Sequence, residues 1–178
     1  ALPLIGRNDL FLSYLPLFHT FGRYFEMMGA IFWGAEYIFA DNSSIDTLIK
    51  LMQTEKPSIF ISIPKKWVQL YDYICDRVDV ETANKNEIQI KIKEITGGNL
   101  KWGLSAAGYL SSDVFKFFQN YDINLLSGFG MTEATGGITM TPPNKYKNDS
   151  IGIPLPGIET KLGNEGELLI RGQYVTAG

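Results

Sequence analysis

Cysteine and histidine are close to absent: the 178-residue chain carries one of each, Cys75 and His19. A lone thiol excludes an internal disulfide framework and, with a lone imidazole, a Cys/His zinc site; it suits a reducing compartment, and cytoplasm is the expected location. Long apolar runs are missing as well. Nothing approaches the ~18 consecutive apolar residues of a membrane span, and no leader-like segment is visible, so membrane contact is expected to be peripheral at most. An excess of positive charge is also lacking, with 16 Lys and Arg against 19 Asp and Glu and a net charge of −3. That argues against DNA or RNA as a partner and leaves a local nucleotide site open. Internal repeats and low-complexity tracts are absent too. What remains is 45% hydrophobic and 20% charged, the composition of a globular chain of one domain or one and a fraction.

Apolar periodicity alternates between the two regular structures. Leu10 to Leu17 reads as a strand closed by Pro16, and His19 to Gly22 as the loop beyond it. A largely apolar helix over Arg23 to Trp33 and a strand over Glu36 to Ala40 follow. Asp41 to Ser44 supplies capping residues for a helix over Ile45 to Thr54, and Lys56-Pro57 ends it. Ser58 to Ile63 is a strong β run, and Pro64 suits the first turn of a helix carrying Trp67, Leu70, Tyr71 and Ile74. Asn84 to Ile95 fits both periods, with Ile88, Ile90 and Ile92 alternating and Ile88, Ile92 and Ile95 on one helical face; the flanking charges and Gly97-Gly98 favour helix. Leu100 to Ser105 reads as a strand, Ser111 to Tyr121 as a helix, and Ile123 to Leu126 as a buried strand. Such alternation implies βαβ crossovers and an α/β fold, a doubly wound, mostly parallel sheet over residues 1–150. From Pro142 the texture changes to a Pro, Asn and Lys loop. Then Ile158 to Leu162, a Gly163–Gly166 turn and Glu167 to Arg171 form a β-hairpin, so a second unit is expected over 151–178. The chain opens without methionine and closes soon after a strand, and it is expected to be part of something longer.

Chemistry concentrates in Ser127 to Gly137, Ser-Gly-Phe-Gly-Met-Thr-Glu-Ala-Thr-Gly-Gly, expected as a loop at the carboxyl end of a strand, where open α/β sheets bind ligands. Gly128 and Gly130 let a ligand approach the main chain, Thr132 offers a hydroxyl and Glu133 a hard oxygen anion, which suits a phosphate with magnesium. Phe129 offers a ring to a flat heterocycle. The stretch is neither a Rossmann fingerprint nor a Walker loop, and a plain Gly-rich turn after a core strand is the competing reading. Leu104 to Ser111 ends another strand. Its Gly103-Leu104-Ser105-Ala106-Ala107 is one residue from a nucleophile elbow, which keeps a serine hydrolase using Ser105 as an alternative, although its histidine should follow the serine and His19 precedes it. Phe18, Phe21, Tyr24, Phe25, Phe32 and Trp33 sit at helical spacing, which favours core over an acyl tunnel.

The Ser127–Gly137 run resembles the Tyr-Gly-x-Thr-Glu signature of the adenylate-forming superfamily, with Phe129 for the usual tyrosine. Leu104 to Ser111 is similar to its Ser-Gly-Gly-Ala-Pro-Leu-Ser segment, with Ala106 and Ala107 for glycines, Gly108 for alanine and Tyr109 for proline. Leu15 to Gly22 resembles its Pro-Leu-x-His segment. Asp9 to Glu26, Pro64 to Trp67 and Gly166 to Gly172 look most like the long-chain fatty acyl-CoA synthetase branch, and the likeness runs over nearly the whole chain. The resemblance implies the second α/β subdomain of the N-terminal domain followed by the start of a small β-barrel subdomain. It implies ATP or AMP, Mg²⁺, a fatty acid or other carboxylate, and CoA as ligands. The site residues it implies are Phe129 stacked on adenine, with Gly128, Gly130 and Met131 beside it and the Ala107, Gly108 and Tyr109 backbone facing it. Thr132 would meet the α-phosphate, Glu133 the magnesium, and His19 the reacting carboxylate. The family's phosphate loop is expected before Ala1, and its ribose aspartate and lid lysine after Gly178. The fragment by itself is therefore expected to be inactive, its partners being the other parts of the same enzyme. A non-catalytic nucleotide or acyl-ligand binding module is the other alternative.

Overall fold

In the computed structural model, which describes residues 5–143, 145–147 and 149–177, seven strands form one sheet in the order β2-β1-β3-β4-β5-β6-β7. They are β1 (Leu10–Ser13), β2 (Glu36–Phe39), β3 (Ile59–Ser62), β4 (Trp102–Ser105), β5 (Asn124–Phe129), β6 (Thr139–Met140) and β7 (Ile153–Pro154). The first five are parallel, and β6 and β7 add antiparallel. A separate antiparallel pair, β8 (Ile158–Leu162) and β9 (Leu168–Gly172), forms the expected hairpin.

The order 2-1-3-4-5 follows from which face each crossover takes. From β1 the chain passes through a π-helix (Phe21–Met27) and α1 (Met28–Trp33) and steps outward to β2. It returns over the opposite face through α2 (Ile45–Glu55) to β3, on the far side of β1. Then α3 (Pro64–Cys75), α4 (Lys85–Thr96) and α5 (Ser112–Asn120) continue on that face to β4 and β5. Right-handed crossovers require this change of face where the winding direction reverses. Alternate strand residues serve the two cores. Leu12, Phe60 and Leu125 pack under α2 to α5, with Trp67 and Phe118 at the centre; Phe11, Ile61, Leu104 and Leu126 pack on the side of the π-helix and α1. Strand and helix sit against each other without a gap at Gly103, where a Cβ would lie 2.3 Å from the Trp67 ring.

Several expectations shift for local reasons. The ambiguous segment is a helix: Asn84 and Glu87 form a reciprocal capping box, and Ile88, Ile92 and Ile95 are buried while Ile90 is 65% exposed. The first strand ends at Ser13, four residues before the expected Leu17, because the chain turns at Leu15 to Phe18 and enters the helix at Phe21 rather than Arg23. The helix begins π-wound, with the Met28 N–H donating to the Arg23 carbonyl. Most relevant here, β5 does not stop at Leu126. Gly128 and Phe129 pair with Met140 and Thr139 of β6, so the first three residues of the expected loop, Ser127 to Phe129, are strand. The large sheet runs past Ser150 to β7, and Asn144 and Asn148 of the expected 142–150 loop lie outside the described residues. Among the described residues, no helix is long and apolar enough to cross a membrane.

Candidate functional site

Parallel pairing sets the ends of β4 and β5 side by side, with Ser105 opposite Ser127. Ala106 and Ala107 leave β4, and β5 continues through Gly128 and Phe129 before a tight loop returns to β6. Inside that loop Thr132–Ala134 forms one 3₁₀ turn. Across from these strand ends stands the π-helix, and the two walls enclose a cleft of about 250 Å³. His19, Phe21, Tyr24 and Phe25 line one wall; Ala107 and Gly128 to Thr132 line the other, with Met140 and Leu155 alongside. Lys, Arg, Asp and Glu are absent from the lining among the described residues, so the space is apolar with a few hydroxyls and main-chain groups.

The loop is closed by contact between its own backbones. A Cβ on Gly130 would lie 1.4 Å from the Gly136 carbonyl oxygen, so only glycine lets the two arms of the loop touch. Gly136 adopts φ +107 and lies against Thr20, which ties this loop to the one bearing His19. From the other side, Thr135 Oγ1 donates to the Tyr174 carbonyl at 2.8 Å, and the Thr176 N–H donates to the Glu133 carbonyl at 2.7 Å. Ala107 has φ +65, a left-handed conformation costly to a residue with a Cβ, and it is one of the two alanines standing where the resembling segment has glycine.

Of the expected site residues, the cleft brings together His19, Ala107, Gly128, Phe129, Gly130, Met131 and Thr132. The His19 ring is oriented by its neighbours: Nδ1 accepts from the Phe21 N–H at 3.2 Å, which leaves Nε2 as the free edge. Three expected residues do not line the cleft. Gly108 faces the Pro64 ring, and Tyr109 is 74% exposed with its hydroxyl donating to Asp149 at 3.1 Å. Glu133 is exposed beside Thr132 and makes no ion pair among the described residues. No group of three or more His, Cys, Asp or Glu side chains among the described residues is arranged to hold a metal. A single exposed carboxylate fits magnesium only in the mode in which phosphate oxygens and water supply the other ligands.

Ser105 is buried, and its hydroxyl has no hydrogen-bond partner among the described residues. It therefore lacks the base contact that an activated serine needs. The aromatic group splits where helical spacing favoured core. Phe21 and Phe25 stack at 5.6 Å and line the cleft, whereas Phe18 and Phe32 are 90% and 84% exposed. Behind the π-helix wall lies Glu26, which sequence reasoning missed. It is fully buried, its Oε2 accepts from the Ser13 hydroxyl, and its Oε1 has no partner among the described residues. Burial pushes its carboxyl pKa up to about 8, the serine hydrogen bond offsetting part of the effect. A glutamate in a largely apolar helical run, four residues after Gly22, was the available signal.

The model for the family described as AMP-binding enzyme matches residues 2–178. The chain belongs to that family. Among curated relatives, "Long-chain-fatty-acid--CoA ligase FadD15" of Mycobacterium bovis is 22% identical, over 98% of this chain and 34% of its own length. The chain thus spans about a third of that relative. Among solved structures, the long-chain-fatty-acid-CoA ligase FadD1 of Archaeoglobus fulgidus superposes with a TM-score of 0.74 at 19% identity, covering 98% of this chain and 36% of that one. The O-succinylbenzoate coenzyme A synthetase MenE of Bacillus subtilis, in complex with ATP and magnesium ion, gives 0.72 at 16% identity, covering 98% and 35%. At these identities the superpositions show the fold: a mostly parallel α/β sheet, doubly wound, with a small antiparallel sheet after it.

Proposed function

We propose that these residues form part of the N-terminal domain of an ATP-dependent acyl-CoA synthetase, in which a fatty acid, ATP and CoA give acyl-CoA, AMP and pyrophosphate through an acyl-adenylate. The observation that carries this is one cleft in which Phe129, Thr132 and His19 meet an aromatic wall at the carboxyl ends of adjacent parallel strands. The Phe129 ring and the Ala107 backbone offer a flat seat for adenine, and Phe21, Tyr24 and Phe25 an apolar one for the acyl group. The substrate carboxylate attacks the α-phosphorus of ATP and pyrophosphate leaves; the CoA sulfur then attacks the acyl carbon and AMP leaves. A carboxylate is already ionised at neutral pH, so His19 has no proton to remove and serves by orienting the carboxylate with its free Nε2 edge. The first step brings two anions together, and the lining holds no lysine or arginine to separate their charges. Magnesium held by Glu133 and the phosphates would supply that neutralisation, while the Thr132 hydroxyl holds an α-phosphate oxygen. Gly108 and Tyr109 are outside the cleft, so in this reading adenine meets the Ala107 backbone before theirs.

The family's phosphate loop, ribose aspartate and lid lysine have no equivalents within these residues, and we propose that the 178 residues alone do not adenylate. The test is fatty-acid-dependent exchange of pyrophosphate into ATP by the full-length protein, with and without Glu133→Ala. Exchange that drops at least about a hundredfold in the variant supports the assignment. Exchange unchanged by the variant removes Glu133 from the reaction, and none with any carboxylate leaves a nucleotide or acyl-ligand binding module as the reading.

A further inference from the structure

We propose that Glu26, bonded to Ser13 at the end of β1, holds Phe21–Met27 in its π-helical register and so decides which side chains of that segment face the cleft. The functional part of this inference rests on the acyl-CoA synthetase reading; the structural part stands without it.

The segment changes winding at a definite place. The Arg23 N–H donates to the His19 carbonyl four residues back, and the Met28 N–H to the Arg23 carbonyl five residues back. A wide turn of this kind holds an extra residue, and each helical residue turns the chain by about 100°. Residues on the amino side of the wide turn are therefore rotated from the positions that α1, continued as an α-helix, would give them. Phe21 precedes that wide turn, and Tyr24 and Phe25 lie within it, so its winding sets where all three cleft-lining residues stand.

Glu26 sits on the opposite, inward side of the same segment. The buried strip around it has little side chain of its own: Gly22, Gly29 and Ala30. A Cβ on Gly22 would lie 2.8 Å from the carbonyl oxygens of Leu15 and Pro16, so the helix presses directly on the chain leaving β1. Glu26 is the long side chain of that strip, and it reaches Ser13, the last residue of β1. Packing alone does not account for a carboxyl here. Its Oε1 is buried without a hydrogen-bond partner among the described residues, a costly arrangement that an apolar side chain would avoid. Polar groups kept in a core at such cost are best explained by a register or a function they specify.

The carboxyl is predominantly protonated at neutral pH, since burial holds its pKa near 8. The titratable groups that sense its charge are Tyr14, just past β1, and Tyr37 of β2, and both hydroxyls are pushed up, first by burial and then by that charge. Among the described residues no lysine or arginine pairs with Glu26. Ionisation therefore places an unpaired charge behind the cleft wall. Glu26 is a positioning residue in this scheme: it touches no substrate and acts through the helix.

The experiment uses the full-length protein with Glu26→Leu, which removes the polar anchor, and Glu26→Gln, which keeps a neutral anchor. Crystal structures report the register; pyrophosphate exchange reports KM for fatty acid and for ATP. In the Leu variant the Met28 to Arg23 hydrogen bond is expected to give way to a four-residue one, with fatty-acid KM raised about tenfold or more and ATP KM within about twofold. The wild type is expected to show a rise in fatty-acid KM between pH 7 and 9, and the Gln variant to keep the register and both constants while losing that rise. A Leu variant with the π register and wild-type constants overturns the proposal. If the Leu variant does not fold, the pH arm decides: matching wild-type and Gln profiles overturn it. Should the wild type exchange with no carboxylate, the synthetase reading has failed, and the register in the variant crystals still decides this one.

Discussion

Raising the pH should weaken this protein through one side chain. The Glu26 carboxyl has an ordinary value of 4.5 and, buried, one of about 8. Above pH 4.5 the unfolded chain releases a proton that the folded chain keeps, so the unfolded state is favoured progressively as pH rises. The stabilisation is complete below 4.5, shrinks through the interval, and is lost once pH passes about 8. At about 1.4 kcal/mol per pH unit the gap corresponds to about 5 kcal/mol, a large share of a typical domain's stability. Asp9 does not mask the trend. Hydrogen bonds from Ser58 and the Gly6 N–H, helped by Lys101, outweigh its burial and lower its pKa below 3.8, so its contribution is lost only as pH falls below that range. Urea unfolding at pH 5.5, 7 and 8.5, for wild type and Glu26→Gln, measures the effect. The wild-type midpoint should fall steadily with pH while the Gln midpoint stays nearly level. A wild-type midpoint constant across this range, or the same slope in both proteins, refutes a buried, neutral Glu26.

Three further outcomes follow from the packing. Gly103→Ala places a methyl 2.3 Å from the Trp67 ring with the Phe60 carbonyl at 2.8 Å behind it, and the urea midpoint should drop by the equivalent of about 3 kcal/mol. Gly130→Ala cannot keep the Gly136 contact, so the Met131–Gly137 loop should rearrange; in calorimetry of the full-length protein, AMP affinity should fall about tenfold or more while the thermal midpoint moves by less than about 4 °C. Ala107→Gly relieves a left-handed alanine, and the lower strain outweighs or balances the freer unfolded chain, so the midpoint should hold or rise by up to about 1 kcal/mol, where a loss would contradict the backbone described.

The helices and the five parallel strands were legible because their signals are local. Ser44 and Asn84 each accept a hydrogen bond from the backbone N–H three residues on, Pro64 opens α3, and apolar residues recur at the period of the element they build. The candidate loop was legible as a motif too, since glycines beside Thr132 and Glu133 are a feature of composition. What depends on distant pairing was not. β6 and β7 are two residues each, too short to show a period, and they become strands only because β5 extends its edge to β6, and β6 in turn to β7. That pairing in turn makes Gly128 and Phe129 strand instead of loop. Tyr109 and Gly108 carry no local mark that turns them toward Asp149 and Pro64 rather than the cleft. Nor does periodicity distinguish a π-turn from an α-turn, or an exposed Phe18 from a lining Phe21. The run of residues thus determined the elements and the chemical equipment. The closing of the sheet decided which of those groups share one space, and that a carboxyl, Glu26, is buried behind it, because both depend on which strands and helices, far apart in the chain, come to lie side by side.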